Sequence, residues 1–204
     1  MTITSLLKCA TVFNMPKNGD CFYACFVHCC ESFSWFQTEI THLRKLYAKT
    51  KKEGLFYCHD EPTPIQLVRF ATALECFEEE FEKYKVLCIG EIDNKTFTDI
   101  EDLRIHIAFT NSYANQVTID MCIRAFGGRM GVCIVSNESD CILSPSEWIK
   151  TKTMILLYDT TLLHYDVVQM PMKDKTNEKM YPLAVTQKMI DKMRGHAAPS
   201  NPLP

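Results

Sequence analysis

Cys21 has the setting of a reactive thiol. It follows a turn-rich loop, residues 14–20 with the sequence NMPKNGD, and it opens an apolar segment with helical periodicity. Asp20 is a suitable N-cap, which puts Cys21 at the first helical position. Unpaired amides and the positive end of the helix dipole favour a thiolate there. The same amides, with those of the loop, can bind the oxyanion of an acyl transfer. We therefore take Cys21 as the candidate nucleophile and expect it to be exposed.

His164 is the candidate general base. It begins an apolar strand after the turn DTTLL, and Asp166 lies two residues further on. Residues i and i+2 of a strand point to the same side, so the Asp166 carboxylate can orient the imidazole. The alternative is that Cys21 and His164 have structural roles and take no part in catalysis. Cys21 would then be the first residue of a core stripe, and His164 an ordinary strand histidine.

The elements that must position these residues follow from the apolar periodicity. Apolar residues at steps of three and four predict helices, and short β-branched runs late in the chain predict strands. Helices come first and strands later without regular alternation, which indicates an α+β (mixed α/β) fold with a small central sheet flanked by helices. Residues 86–114 give no clear pattern. The predicted helices are 21–33, 36–53, 62–85 and 115–126, and the predicted strands are 131–136, 153–158 and 164–170.

Composition narrows the class of protein. The chain has 204 residues, 47% of them apolar, which suits one globular domain. A net charge of −3 gives no basic footprint for nucleic acid. No secretory signal or membrane span is evident. We expect one domain over 1–182, followed by a short helix and a tail or linker over 183–204.

Eleven cysteines are unusual for this length. They lack the paired Cys-x2-Cys spacing of zinc sites, and a spacing of four (Cys21, Cys25, Cys29) also suits a buried helical face. A free cysteine behaves as a small apolar residue, and many free thiols indicate a reducing compartment. We expect no metal, no disulfide framework and a cytoplasmic location.

At these residues the sequence resembles a known family. The run Asn18-Gly19-Asp20-Cys21-Phe22-Tyr23 is similar to the nucleophile loop of the ovarian tumour (OTU) family of cysteine proteases, and His164-Tyr165-Asp166 is similar to its closing histidine motif. The resemblance spans about 10–170. It departs from the family at position 18, which is usually Asp, and at 113–115, where an aromatic-Gly motif is missing. Both departures suggest a divergent member, and the compact Cys-rich chain suggests a viral one.

The resemblance implies a papain-related fold and hydrolysis after the C-terminal glycine of ubiquitin. Carried over by position, Cys21 is the nucleophile, His164 the general base and Asp166 the residue that orients it. The loop with Asn18, Gly19 and Asp20, and the amides of 19–21, would stabilise the oxyanion.

The implied partner is ubiquitin, polyubiquitin or a ubiquitin-like modifier, and no cofactor is implied. Two alternatives stay open. One is a viral polyprotein-processing protease of the same fold, acting in the host cytoplasm. The other is an OTU-like module that binds ubiquitin without turnover.

Overall fold

The computed structural model describes residues 8, 10–52, 61–87, 97–136, 138, 141–150 and 152–169. They fall into two compact units. A helical unit lies within Pro16–Gly128, and a sheet unit lies within Met1–Met15 and Arg129–Pro204. No described helix has both the length and the apolarity needed to cross a membrane.

The helical unit contains six described helices, and three of them begin at a residue whose side chain accepts a hydrogen bond from the first turn. Thr63 and Asn115 each form a reciprocal capping box, and the Asp99 carboxylate accepts from the amide of Asp102. Helix α3 packs against four of the other helices, including α5 and α6. The helices are α1 Cys21–Cys30, α2 Ser34–Lys52, α3 Pro64–Leu74, α4 Glu78–Leu87, α5 Ile100–Phe109 and α6 Gln116–Ala125.

Two helix predictions need correction. The helix expected over 62–85 is two helices, because the chain turns at Glu75–Phe77. Two nitrogens of Arg104 hold the Cys76 carbonyl at 2.7 and 3.0 Å, and the Glu80 carboxylate accepts from the Phe77 amide at 3.3 Å. Both contacts satisfy backbone groups that a continuous helix would pair internally. The unassigned region 86–114 contains α5, whose interior face, with Leu103 and Ile107, is buried.

The sheet unit is built on five described strands in the order β1-β5-β4-β2-β3. Strand β4 pairs in parallel with β2 and antiparallel with β5, and β1 adds antiparallel to β5 at one edge. All six residues of β2 are buried, as expected for an inner strand. Strands β1 and β3 were not predicted because each is short. The strands are β1 Thr11–Phe13, β2 Gly131–Ser136, β3 Cys141–Ile142, β4 Thr153–Asp159 and β5 His164–Gln169.

The cysteines follow the prediction that most are core residues. Seven of them are described as buried free thiols: Cys21, Cys25, Cys29, Cys30, Cys76, Cys122 and Cys133. Burial raises the pKa of Cys29 and of Cys122 to about 12, because a thiolate is poorly solvated there. The predicted short helix and tail over 183–204 lie outside the described residues. The single domain over 1–182 stays a prediction.

Candidate functional site

Cys21 begins helix α1, as the loop-and-cap pattern predicts. The preceding loop is held by its own asparagine. The Asn18 side-chain oxygen accepts from the amide of Asp20 at 3.0 Å, and the Asn18 carbonyl accepts from the amide of Cys21 at 3.1 Å. Asn18 thus makes the loop contacts through a neutral side-chain amide and its own carbonyl. One expectation is wrong: the Cys21 side chain is 0% exposed, because the helix start is packed into the core.

Gly19 is required by a close backbone approach. A Cβ placed on it would lie 1.6 Å from the carbonyl oxygen of Asn111 and 2.9 Å from the carbonyl carbon of Ser112. No side chain fits at that distance from another backbone. The loop before Cys21 is therefore pressed directly onto the segment between α5 and α6.

Asp20 occupies the N-cap position of α1, but its side chain makes no capping hydrogen bond. Its carboxylate instead lies 3.1 Å from Nη1 of Arg69, a residue of α3 whose side chain is 2% exposed. The same Nη1 also lies 3.2 Å from the Gly19 carbonyl oxygen. The loop is thus joined to α3 through a buried cation.

The predicted oxyanion amides are not equivalent. The amides of Asp20 and Cys21 already donate to Asn18. The amide of Gly19 has no acceptor among the described residues. Of the three, Gly19 therefore has the donor that is available to a developing oxyanion.

His164 and Asp166 are brought together by strand β5. The imidazole Nε2 lies 2.9 Å from Oδ1 of Asp166, and the His164 side chain is 3% exposed. A carboxylate only accepts, so Nε2 carries the proton in this contact. The other ring nitrogen, Nδ1, is buried and has no hydrogen-bond partner among the described residues. The ring therefore presents an unoccupied nitrogen that can take up a proton.

The carboxylate of Asp166 is itself fixed by a second donor. Its Oδ1 accepts from the amide of Met15 at 2.8 Å. Met15 follows β1, which pairs with β5 in the register Phe13 with Val167. Asp159, the other carboxylate near the start of β5, does not replace it. Its Oδ1 accepts from the amides of Thr161 and Leu162 and so closes the turn before His164.

The candidate site residues thus lie in two groups. Asn18, Gly19, Asp20 and Cys21 belong to the helical unit, and His164 with Asp166 belongs to the sheet unit. Cys21 starts its helix and His164 contacts Asp166, as the sequence predicts, but Cys21 is buried and the Asp20 side chain does not cap the helix. The pairing of the thiol with the imidazole remains a prediction. The described residues contain no cluster of three or more side chains suited to a metal ion.

Sequence reasoning missed Arg69. The signal was nonetheless present, because a lone arginine interrupts the apolar run LVRFATA of α3. A charge in a buried helical face needs partners, and those partners turn out to be the loop before Cys21.

Comparisons with known proteins show which solved structures have a similar fold. No protein-family model matches the sequence, and no curated protein matches it significantly. Among solved structures, an ovarian tumour (OTU) domain in complex with ubiquitin matches with a TM-score of 0.54 and 12% identity, over 92% of this chain and 82% of that chain. The OTU domain of OTUD1 matches with a TM-score of 0.47 and 12% identity, over 81% of this chain and 89% of that one.

The viral OTU protease of Taggert virus matches with a TM-score of 0.47 and 11% identity, over 86% of each chain. The match to the ubiquitin-bound OTU domain shows that this chain has an OTU-like fold. The predicted α+β, OTU-like fold class is confirmed. The 12% identity means that the likeness is one of fold.

Proposed function

We propose that this chain is a thiol-dependent ubiquitin hydrolase, which cleaves the bond after the C-terminal glycine of ubiquitin. The observation that carries the proposal is the His164–Asp166 pair, in which Nε2 is held and the buried Nδ1 has no partner among the described residues. Ubiquitin is supported as the substrate by the solved OTU domain of similar fold, which was determined in complex with it.

The chemistry follows from these groups. His164 Nδ1 takes the proton of the Cys21 thiol, and Sγ attacks the carbonyl carbon of the terminal glycine. The Gly19 amide and the helix start stabilise the oxyanion. Nδ1 then gives its proton to the leaving amine, and a thioester remains. Water, deprotonated by His164, attacks the thioester and releases the ubiquitin carboxylate together with the thiol. No cofactor is needed for any step.

The direct test is hydrolysis of a ubiquitin–fluorophore amide. Cys21→Ala and His164→Ala should each reduce turnover to the background rate. Cys25→Ala is a matched control, because Cys25 is a buried cysteine on the same helix, one turn further on. We expect the Cys25→Ala variant to keep its activity, provided that it folds. Activity in Cys21→Ala would overturn the assignment of the nucleophile.

A second candidate function is ubiquitin binding without turnover. It is favoured by one observation, the complete burial of Cys21. A substrate carbonyl can reach Sγ only if the groups that cover it move. A ubiquitin bearing a C-terminal electrophile separates the two functions. A covalent adduct at Cys21 supports the hydrolase, whereas normal ubiquitin affinity with no adduct supports the binding module.

The remaining elements of the proposal concern scope and setting. Ubiquitin-like modifiers carrying the same electrophile would show whether the chain accepts them. The nucleophilic thiol must stay reduced, and the described cysteines are free, so we propose that the protein acts in the cytoplasm, which would be the host cytoplasm for a viral protein. Localisation of the tagged protein in cells tests this setting.

A further inference from the structure

The buried side chain of Arg69 contacts the loop before Cys21 and the residues at and after the end of α5. Its Nη1 lies within 3.1–3.2 Å of three acceptors: the Gly19 carbonyl, the Asp20 carboxylate and the Ser112 carbonyl. Nη2 donates to the Ser112 hydroxyl at 2.8 Å, and Nε donates to the Ile107 carbonyl at 2.9 Å. Nη1 carries two hydrogens for three acceptors, so at least one hydrogen is shared. The guanidinium therefore joins α3 to two other parts of the chain, the loop before Cys21 and the end of α5 with the residues that follow it.

We propose that Arg69 is a positioning residue for Cys21, which fixes the peptide before the nucleophile and neutralises the carboxylate beside it. The inference rests on the proposed function only where enzyme activity is the readout. Its two parts, one geometric and one electrostatic, make different predictions.

The geometric part concerns the peptide bond between Gly19 and Asp20. Because a trans peptide is planar, its carbonyl and its amide point in opposite directions. Arg69 holds the Gly19 carbonyl, and the Asp20 amide consequently faces the Asn18 side chain. This orientation keeps the carbonyl oxygen engaged with the guanidinium. It also sets the path of the chain into α1, because the Asp20 carbonyl accepts from the Ala24 amide at 2.8 Å.

The electrostatic part concerns the charge of Asp20. A carboxylate next to Cys21 disfavours a thiolate, and a cation next to that carboxylate offsets the effect. Among the described residues, the Tyr23 ring lies 4.5 Å from the guanidinium carbon of Arg69, and Cys122 interacts with Tyr23. Burial raises the pKa of both to about 12, so they are neutral at neutral pH. Asp20 is therefore the charge that Arg69 compensates.

A lysine cannot replace this arrangement. An ammonium group is a compact charge with three donors, whereas the fork of Arg69 reaches the loop, α5 and Ser112 at the same time. Arg69→Lys should keep the positive charge but lose the simultaneous hydrogen bonds of the guanidinium. The substitution separates the two parts of the proposal.

The experiment measures the pH midpoint for alkylation of Cys21 by iodoacetamide, followed by mass spectrometry of the Cys21 peptide. Arg69→Gln should raise the midpoint by about one pH unit, because the Asp20 charge is no longer offset. The double variant Arg69→Gln/Asp20→Asn should return it close to the original value. Asp20→Asn alone should lower it, because the guanidinium is then uncompensated. Arg69→Lys should keep the midpoint but lower kcat on a ubiquitin substrate.

Arg104→Gln is the matched control, since Arg104 is a partly buried arginine of the same unit that binds the Cys76 carbonyl and Glu101. Its midpoint should not change. A folded Arg69→Gln variant with the original midpoint and kcat would overturn the proposal. If Arg69→Gln does not fold, the Asp20→Asn variant tests the electrostatic part instead. An unchanged alkylation midpoint of Cys21 in Asp20→Asn would reject that part. Alkylation needs no ubiquitin, so inactivity of the native chain on ubiquitin would reject the proposed function and leave this inference standing.

Discussion

Nε2 of His164 lies 2.9 Å from Oδ1 of Asp166, and that same oxygen accepts from the Met15 amide at 2.8 Å. A single carboxylate oxygen thus serves both the imidazole and the edge strand. Because the Met15 amide is a fixed backbone donor, it determines which way the carboxylate faces. The His164 ring is oriented through Asp166 by the pairing of β1 with β5.

The first prediction concerns Asp166. Asp166→Ala removes the only acceptor seen at Nε2 among the described residues, and we expect kcat on a ubiquitin–fluorophore amide to fall by about 10²–10⁴-fold. Asp166→Asn should retain more activity than Asp166→Ala. Its side-chain oxygen can still accept from Met15 and from His164, although the charge that stabilises an imidazolium is lost. Equal activity in Asp166→Ala and in the unmodified protein would show that another group orients His164.

The second prediction concerns Gly19. Gly19→Ala would place a methyl group 1.6 Å from the Asn111 carbonyl oxygen, so one of the two backbones must move. We expect a destabilisation of about 1–3 kcal/mol in urea unfolding and a large loss of electrophile labelling at Cys21. Gly127→Ala is the control. Its Cβ meets nothing within 4 Å, and the cost there comes only from the positive φ of +61°.

Gly127→Ala should therefore lower stability by about 1–2 kcal/mol without changing the labelling of Cys21. Unchanged labelling in Gly19→Ala would contradict the close packing of the loop onto residues 111–112.

The third prediction concerns Asn18, whose side-chain oxygen accepts from the Asp20 amide. Asn18→Asp keeps an oxygen acceptor for the Asp20 amide, so we expect the loop and the labelling of Cys21 to persist. Asn18→Ala removes that acceptor and should cost about 1 kcal/mol of folding free energy, with slower labelling. The comparison uses urea unfolding and the rate of reaction with a ubiquitin electrophile. A labelling rate in Asn18→Ala equal to that of the native chain would rule out a role for this bond.

The fourth prediction concerns stability at alkaline pH. The pKa of Cys122 is raised from 9.0 to about 12 by burial, so the folded state keeps a proton that the unfolded state releases. The stabilisation linked to this thiol is complete below about pH 9 and is lost as the pH rises towards 12.

Urea unfolding between pH 8 and 10.5 should show a decline that is shallower in Cys122→Ala by about 1 kcal/mol per pH unit above pH 9. Cys29 contributes in the same direction and serves as a second test. Identical pH slopes in the native chain and in Cys122→Ala would contradict a buried, protonated thiol.

The sequence was informative wherever the structure depends on neighbouring residues. The loop before Cys21 is closed by Asn18, which accepts from the amides of Asp20 and Cys21, and the i and i+2 alternation of a strand joins His164 to Asp166. The helix predicted over 115–126 is likewise observed at Gln116–Ala125, with Asn115 as its cap.

Features that depend on contacts between distant segments could not be predicted from the sequence. Apolar periodicity could not show that helix 62–85 breaks at Cys76, because the break is held by Arg104, 28 residues later. It could not assign α5, because the apolar and polar residues of this helix do not divide clearly between two faces. The expected exposure of Cys21 failed for the same reason, since burial is a property of the packed core.

What the sequence by itself determined is therefore the identity of the chemical groups and their local geometry: a thiol at a helix start, and a histidine with a carboxylate two residues on. Only the tertiary structure decided that Arg69 pairs with Asp20, that Asn111 excludes any side chain at Gly19, and that the Met15 amide donates to Asp166. Local geometry follows from backbone torsions of adjacent residues, which residue types encode. These three contacts span 49, 92 and 151 positions in the chain, and such contacts form only when the packing of the whole unit brings the segments together.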